Sequence, residues 1–278
     1  YFNNLVISPS VDSVQEFNIE KTSYTPEFGG KSGAVINVIT KSGTNAFHGT
    51  LFEFVRNNIF DSRNYFDSPS APIPPFRQNQ FGASVVGPIV RNKTFFSVSY
   101  EGQSVRKSLT QTFSVPTADM RAGNFAGEPV IYDPISVVAG QRQPFANHFI
   151  PVARRDPVAV ALLAHIPLPN LPGIAQNLRA AETEQSSVHT YGARLDHQFR
   201  PSDSAFLRLS VFDADDFSPF GSGVLQESLL PGFGRNLNTK AVSIAASWSH
   251  IFSPFRLYEF RIGGLGVSGG QSSPNGGN

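Results

Sequence analysis

The run Thr190-Tyr-Gly-Ala-Arg-Leu-Asp-His-Gln-Phe-Arg-Pro-Ser-Asp-Ser-Ala-Phe-Leu-Arg-Leu-Ser-Val-Phe212 decides the class of fold. Tyr191, Ala193, Leu195 and Phe199 fall on one set of alternate positions. Thr190, Gly192, Arg194, Asp196, Gln198 and Arg200 fall on the other. A period of two puts one set on each face of a β-strand. Pro201-Ser202-Asp203 is turn chemistry, and the alternation then resumes. Ala205, Leu207, Leu209 and Val211 share a face against Ser204, Arg208 and Ser210, with Phe206 and Phe212 breaking the pattern. This is an antiparallel hairpin with one apolar and one polar side.

The same pattern recurs outward in both directions. Val242, Ile244, Ala246, Trp248 and Phe252 oppose Ala241, Ser243, Ala245, Ser247 and Ser249. Tyr258, Phe260 and Ile262 oppose Glu259 and Arg261; Phe96, Val98 and Tyr100 oppose Ser97, Ser99 and Glu101. Two more strands read at about 47–56, with Phe52 and Phe54 on one face, and at about 79–88, with Phe81, Ala83 and Val85 on one face. Alternation alone suits a soluble sandwich and a membrane barrel equally. The connections separate the two. They run long near 57–78, short near 89–93, long near 107–187, short near 200–203, long near 214–238 and short near 253–255. Outer-membrane barrels sort their loops in this way, with tight periplasmic turns and long outer loops. Strands of about 9–13 residues also suit a tilted crossing of a roughly 25 Å apolar band. An odd set of strands cannot close such a barrel, and an open edge in lipid leaves backbone groups unpaired. Further strands are therefore expected beyond Asn278. The start at Tyr1 and the turn-formers at 268–278 are likewise expected to belong to a longer chain.

Composition agrees. Of 278 residues only 15% are charged, against roughly 25% in ordinary soluble domains, while 25 are Phe. Lys and Arg total 22 against 21 Asp and Glu, which argues against a nucleic-acid partner. No apolar run approaches the roughly 18 residues of a membrane helix, so a helical membrane protein is excluded. With 0 Cys there is no thiolate metal site and no thiol nucleophile. One short helix is expected at Asp156–His165, where Asp156 caps the free amides and Pro157 fits the first turn.

Residues 1–45 differ in character. Val11–Glu20 reads as a strand, and Ala34–Thr40 as another whose two apolar faces are expected to be buried in a small domain. Between them Tyr24-Thr-Pro-Glu-Phe-Gly-Gly-Lys-Ser-Gly33 is a glycine-rich turn. The stretch Glu27-Phe-Gly-Gly-Lys-Ser-Gly-Ala-Val-Ile-Asn-Val-Ile-Thr-Lys41 resembles the end of the plug domain of TonB-dependent outer-membrane receptors. Ala34 stands where that family commonly has Gly. Ser42–Thr50 resembles the linker into the first barrel strand. Phe76–Ile89, Lys93–Phe96, Tyr100–Gly102, Val115–Phe125, Ile131–Pro134, Asp156–Ala159 and Pro167–Asn170 resemble the Oar-like subgroup.

The resemblance implies an all-β fold. Residues 1–45 would be the C-terminal part of a plug, and 46–278 the first part of an outer-membrane barrel of about 22 strands. It marks Glu27, Phe28, Gly29, Gly30, Gly33, Ile36, Asn37, Thr40 and Lys41 as plug residues with a structural or gating role. It implies contact with outer-membrane lipid, an outer-membrane location, an extracellular ligand, and a TonB complex that engages a segment upstream of Tyr1.

Other chemistry is weak. Gly30-Lys31-Ser32 lacks the leading Gly of a phosphate loop, since position 25 is Thr, and reads as a turn. Asn37 reads as a buried amide bonded to backbone. Asp213, Asp215 and Asp216 read as a solvated cluster at the start of a long loop, without the Gly and Glu of a calcium motif. His189 and His197 share a strand face about 26 Å apart, too far for a shared metal. No enzymatic constellation stands out from the background, so no enzyme activity, cofactor or metal is expected. Phe and Tyr at alternate strand positions read as lipid-facing or girdle residues. Phe60, Tyr65, Phe66, Phe76, Phe217, Phe220 and Phe233 read as loop aromatics. Three functions fit: a TonB-driven import receptor, a barrel that displays loops for adhesion or assembly, and a soluble β-rich binding module. Extraction without detergent would mark the last.

Overall fold

The computed structural model describes residues 10–20, 35–63, 72–220 and 231–274. The chain forms two compact units. The first comprises 1–108, 183–218 and 235–278; the second comprises 109–182 and 219–234.

The first unit is built on a seven-stranded antiparallel sheet. Its strands are β3 (His48–Asn57), β4 (Phe76–Val90), β5 (Thr94–Phe113), β8 (Leu178–Arg200), β9 (Asp203–Ser218), β10 (Arg235–Ser253) and β11 (Arg256–Ser272). They lie in chain order, each beside the next, with β3 and β11 at the two open edges. All seven strands expected from the alternation are present. Six of them are longer than the expected 9–13 residues, reaching 23 in β8, while β3 has 10. The long connections shrink accordingly to 58–75, 114–177 and 219–234. Their parity with the tight turns is retained.

Register shows why the strands overrun. On β9 the outward residues Ala205, Leu207, Leu209 and Val211 lie between Asp203 and Asp213. On β10 the matching run ends at Lys240, opposite Asp213. The apolar band thus spans ten positions of β9, about 33 Å of strand and about 25 Å of depth at a tilt near 40°. Beyond it the strands continue as a polar wall. Asp213, Asp215 and Asp216 therefore belong to β9 and not to a loop. Lys240 pairs with Asp213 at 3.7 Å, and the Asn238 side chain donates to Asp215.

The outward band is uncovered. Leu195 is 40% exposed, Leu207 46% and Ile244 50%; neither a second sheet nor a helix of the first unit lies over them among the described residues. A soluble sandwich would bury these side chains. Aromatic rings flank the band. Phe81, Tyr100, His189 and Tyr191 cluster toward the long loops, with Tyr100 and Tyr191 centroids 5.0 Å apart. Trp248, His250, Phe252 and Tyr258 cluster toward the tight turns, as do His197 and Phe199. Interfacial rings of this kind present an apolar body to lipid and a polar edge to headgroups.

Not every strand aromatic faces outward. Phe52 lies opposite Gly82 and Phe54 opposite Gln80, on the side of Ser84 and Glu101. Gly82 leaves room for the Phe52 ring, since a Cβ there would lie 2.6 Å from Phe52 Cζ. Phe206 also faces inward, beneath a guanidinium.

Two further strands form a ribbon: β1 (Val14–Glu20), preceded by a 3-10 turn at Val11–Ser13, and β2 (Val35–Thr40). The expected burial of both faces is not found. Ile36 is 54% exposed and Ile39 52%. A two-stranded ribbon has no second layer to cover its faces.

The second unit holds α1 (Ala118–Arg121), the hairpin β6 (Tyr132–Val138) and β7 (Gln141–Pro144), and α2 (Pro157–Leu163). The helix expected near 156–165 is α2; Asp156 accepts from the Val158 and Ala159 amides, and Pro157 starts it. A second short helix, α1, was not anticipated; Thr117 caps it by accepting from the Met120 amide. Phe113, Val115, Leu178 and Phe220 form the core of this unit. Asn177 is fully buried there. Its amide bonds both polar groups of Val115, at 2.8 and 2.9 Å. Arg121 donates to the carbonyls of Pro116, Leu163, Ile166 and Pro167, tying α1 to the end of α2.

Candidate functional site

The inner face of the sheet is polar, and the β1–β2 ribbon meets it at one guanidinium. Arg194 lies inward on β8. Its Nε donates to both oxygens of Asp196 at 3.0 Å, and Nη2 donates to Oδ1 at 2.7 Å. Nη1 reaches the last residue of β2, donating to the Thr40 carbonyl at 3.2 Å and to its Oγ1 at 3.1 Å. The guanidinium lies 4.7 Å above the Phe206 ring. This explains the inward Phe on β9: it floors a cation that would otherwise stand in water. Only about a fifth of the side-chain surface of Arg194 and of Asp196 remains exposed. Their mutual charge and the shared hydrogen bonds fix the guanidinium plane so that its remaining donors point at the ribbon.

The chain entering and leaving the ribbon is closed by a second clasp. The Lys41 amide donates to the Ser13 carbonyl at 2.8 Å, and Ser13 Oγ donates to the Ser10 carbonyl at 2.6 Å. The wall here is made of small side chains. Ser97, Ser99 and Thr190 are buried, and a Cβ on Gly192 would lie 2.7 Å from Ser99 Oγ. The gap among Ser10, Ser13, Thr40, Lys41 and this wall is about 30 Å³, room for a single water. Small residues thus let the backbone of 10–13 approach the sheet closely.

Beside this contact a larger cavity of about 440 Å³ opens between β2 and the inner wall, with Arg194, Arg208 and Arg261 on its lining. Arg261 is held by Glu259, which also accepts from Ser247 Oγ. Arg208 stands opposite Arg194 across the β8–β9 register and has no ion-pair partner among the described residues.

Of the nine plug residues singled out by sequence, Glu27, Phe28, Gly29, Gly30 and Gly33 lie outside the described residues, as does Lys31-Ser32. Thr40 and Lys41 carry the two clasps. Ile36 is exposed, and Asn37 faces Asn18 across the ribbon. Asn37 is half-buried. Among the loop aromatics, Phe76 and Phe217 are strand residues, Phe220 is core, Phe60 and Phe233 are exposed, and Tyr65 and Phe66 lie outside the described residues. His189 bonds the Tyr100 hydroxyl at 3.0 Å, and His197 bonds Thr94 Oγ1 at 2.8 Å. Among the described residues no cluster of three His, Asp or Glu is placed to hold a metal. The residue that sequence reasoning missed is Arg194. Its i, i+2 pairing with Asp196 on the polar face was visible, but Thr40 is 154 positions away.

Residues 39–278 match the family described as outer membrane beta barrel domain. The chain belongs to that family. This places the barrel in the outer membrane, with the uncovered band of Leu195, Leu207 and Ile244 against lipid. A stretch of 115 residues is also 33% identical to the TonB-dependent transporter Oar of Myxococcus xanthus. That match covers 40% of this chain and 11% of the Oar protein. This outer-membrane barrel chain therefore spans a small part of its curated relative.

Proposed function

We propose that the chain is part of a TonB-dependent, Oar-like outer-membrane receptor. In this reading 1–45 closes a plug, and 46–278 begins the barrel around it. It imports a large or scarce ligand with force supplied from the inner membrane, and it performs no catalysis. The observation that carries this reading is the Arg194 clasp on Thr40. A ribbon held to the inner wall by a few charge-assisted hydrogen bonds, and otherwise facing an open cavity with three arginines on its lining, obstructs the lumen yet separates without unfolding a core. Each such bond contributes on the order of 1.5–3 kcal/mol. Pulling on the ribbon is then sufficient to release it, and the outer membrane has no nucleotide to do that work. The likeness to a TonB-dependent transporter supports the same reading. A display barrel is the alternative, supported by the size of the 114–177 connection.

Ribbon movement separates the two. These 278 residues contain 0 Cys, so an Ile36→Cys substitution, with any thiol elsewhere in the expressed protein replaced, gives one label site. Cells expressing this variant are treated with a membrane-impermeant maleimide, with the inner membrane energised or uncoupled. An importer shows faster labelling in energised cells carrying TonB. Equal rates in all conditions refute import and favour display.

A further inference from the structure

The outward face carries a feature that neither transport nor display uses. Arg77 on β4 lies directly opposite Arg106 on β5. Both side chains are exposed, and neither has an ion-pair partner among the described residues. They share a face with Phe81, Ala83, Val98 and Tyr100, and lie just past the Phe81–Tyr100 aromatic pair toward the long loops. Like charges directly opposed on one strand pair are destabilising. The carboxylates on this face do not relieve them. Glu53 is on β3 opposite Phe81, four positions short of the residue that faces Arg77. Asp213 and Asp215 on β9 are engaged by Lys240 and Asn238.

We propose that Arg77 and Arg106 together bind the phosphate of a lipid headgroup in the outer leaflet. Two planar guanidiniums side by side present paired N–H donors that match a phosphate's oxygens. Their height decides the source of that phosphate. They sit four strand positions past Phe81 and Gly102, about 13 Å of strand and about 10 Å of depth at a tilt near 40° above the edge of the apolar band, and their long side chains reach down into the headgroup layer. Arg106 also borders a shallow polar concavity of about 500 Å³, with Ser104, Gln185, Ser187, Asp215 and Asn238 along it. These hydroxyl and amide groups suit a sugar-bearing headgroup next to the phosphate. The site anchors the β4–β5 hairpin at a fixed depth. It is independent of the transport reading and rests on the barrel's place in the membrane alone.

The test is lipid retention. The protein is extracted from outer membranes in mild detergent, and bound bisphosphorylated lipid A is quantified by native mass spectrometry. Arg77→Gln/Arg106→Gln is expected to lower retention about 100-fold, and Arg106→Gln alone about tenfold. Arg256→Gln, a cation at the opposite rim stacked on Phe252, is expected to change nothing. Heat-modifiable gel mobility checks assembly of each variant; if the double variant does not assemble, Arg106→Gln gives the reading. Equal retention by wild type and variants overturns the proposal. So does equal binding of dephosphorylated lipid A. Displacement by millimolar inorganic phosphate would reassign the site to free anions and overturn the lipid assignment.

Discussion

Leu207→Arg tests the orientation of the whole sheet. Leu207 is four residues along β9 from Asp203 at the tight-turn rim. That is about 13 Å of strand and about 10 Å of depth at a tilt near 40°, close to the middle of a roughly 25 Å band. It faces outward, opposite Leu195 and Ala246. A guanidinium at the bilayer midplane costs about 2–4 kcal/mol, which lowers the folded-to-unfolded ratio by roughly 30- to 1,000-fold. Ser243→Arg is the matched control. Ser243 lies on β10 opposite Ser210, pointing into the polar interior, and an added cation there is expected to cost within about 0.5 kcal/mol. The assay is urea unfolding in phospholipid vesicles. Trp248, the single Trp of these 278 residues, is its reporter once any Trp elsewhere in the barrel is replaced, because it sits on the outward face opposite Ala205 and leaves lipid for water on unfolding. Equal destabilisation by the two substitutions, or a Leu207→Arg loss under about 0.5 kcal/mol, would show that the Leu207 face does not meet hydrocarbon.

Arg194→Ala removes both bonds to Thr40 and strands Asp196, so protease cleavage within 35–41 is expected to rise about tenfold in the folded barrel; Arg194→Lys, which lacks the fork, is expected to restore little of the protection. Asn177→Ala leaves both polar groups of Val115 without partners and is expected to destabilise the second unit by about 3 kcal/mol, read as faster amide exchange across 109–182 with β9 and β10 unchanged. Asp156→Ala removes the cap of α2 and is expected to cost about 1 kcal/mol, seen as faster exchange at Val158 and Ala159 alone.

Much of the sheet was legible because its signal is local. Side chains on a strand alternate with a period of two whatever lies beyond the strand. The outward set at 191–199 and 205–211 was therefore readable without any partner. The α2 cap was equally local, since Asp156 and the amides it serves are two and three residues apart. Strand ends were not legible. Once β8 and β5 leave the apolar band their outward residues turn polar, as at Gln185 and Arg106, and the pattern that marks a half-buried strand vanishes although the ladder continues. The same loss of contrast made Asp213 and Asp215 read as a loop.

The amino-acid sequence by itself determined an antiparallel sheet with one apolar face, loops sorted by parity, and a helix capped at Asp156. Each follows from neighbours a few residues apart. The tertiary structure alone decided which aromatics turn inward, that Arg194 grips Thr40, and that Arg77 meets Arg106. Those pairings depend on register between strands distant in the chain. A one-residue slip would send every one of these side chains to the opposite face, and only the assembled ladder sets that register.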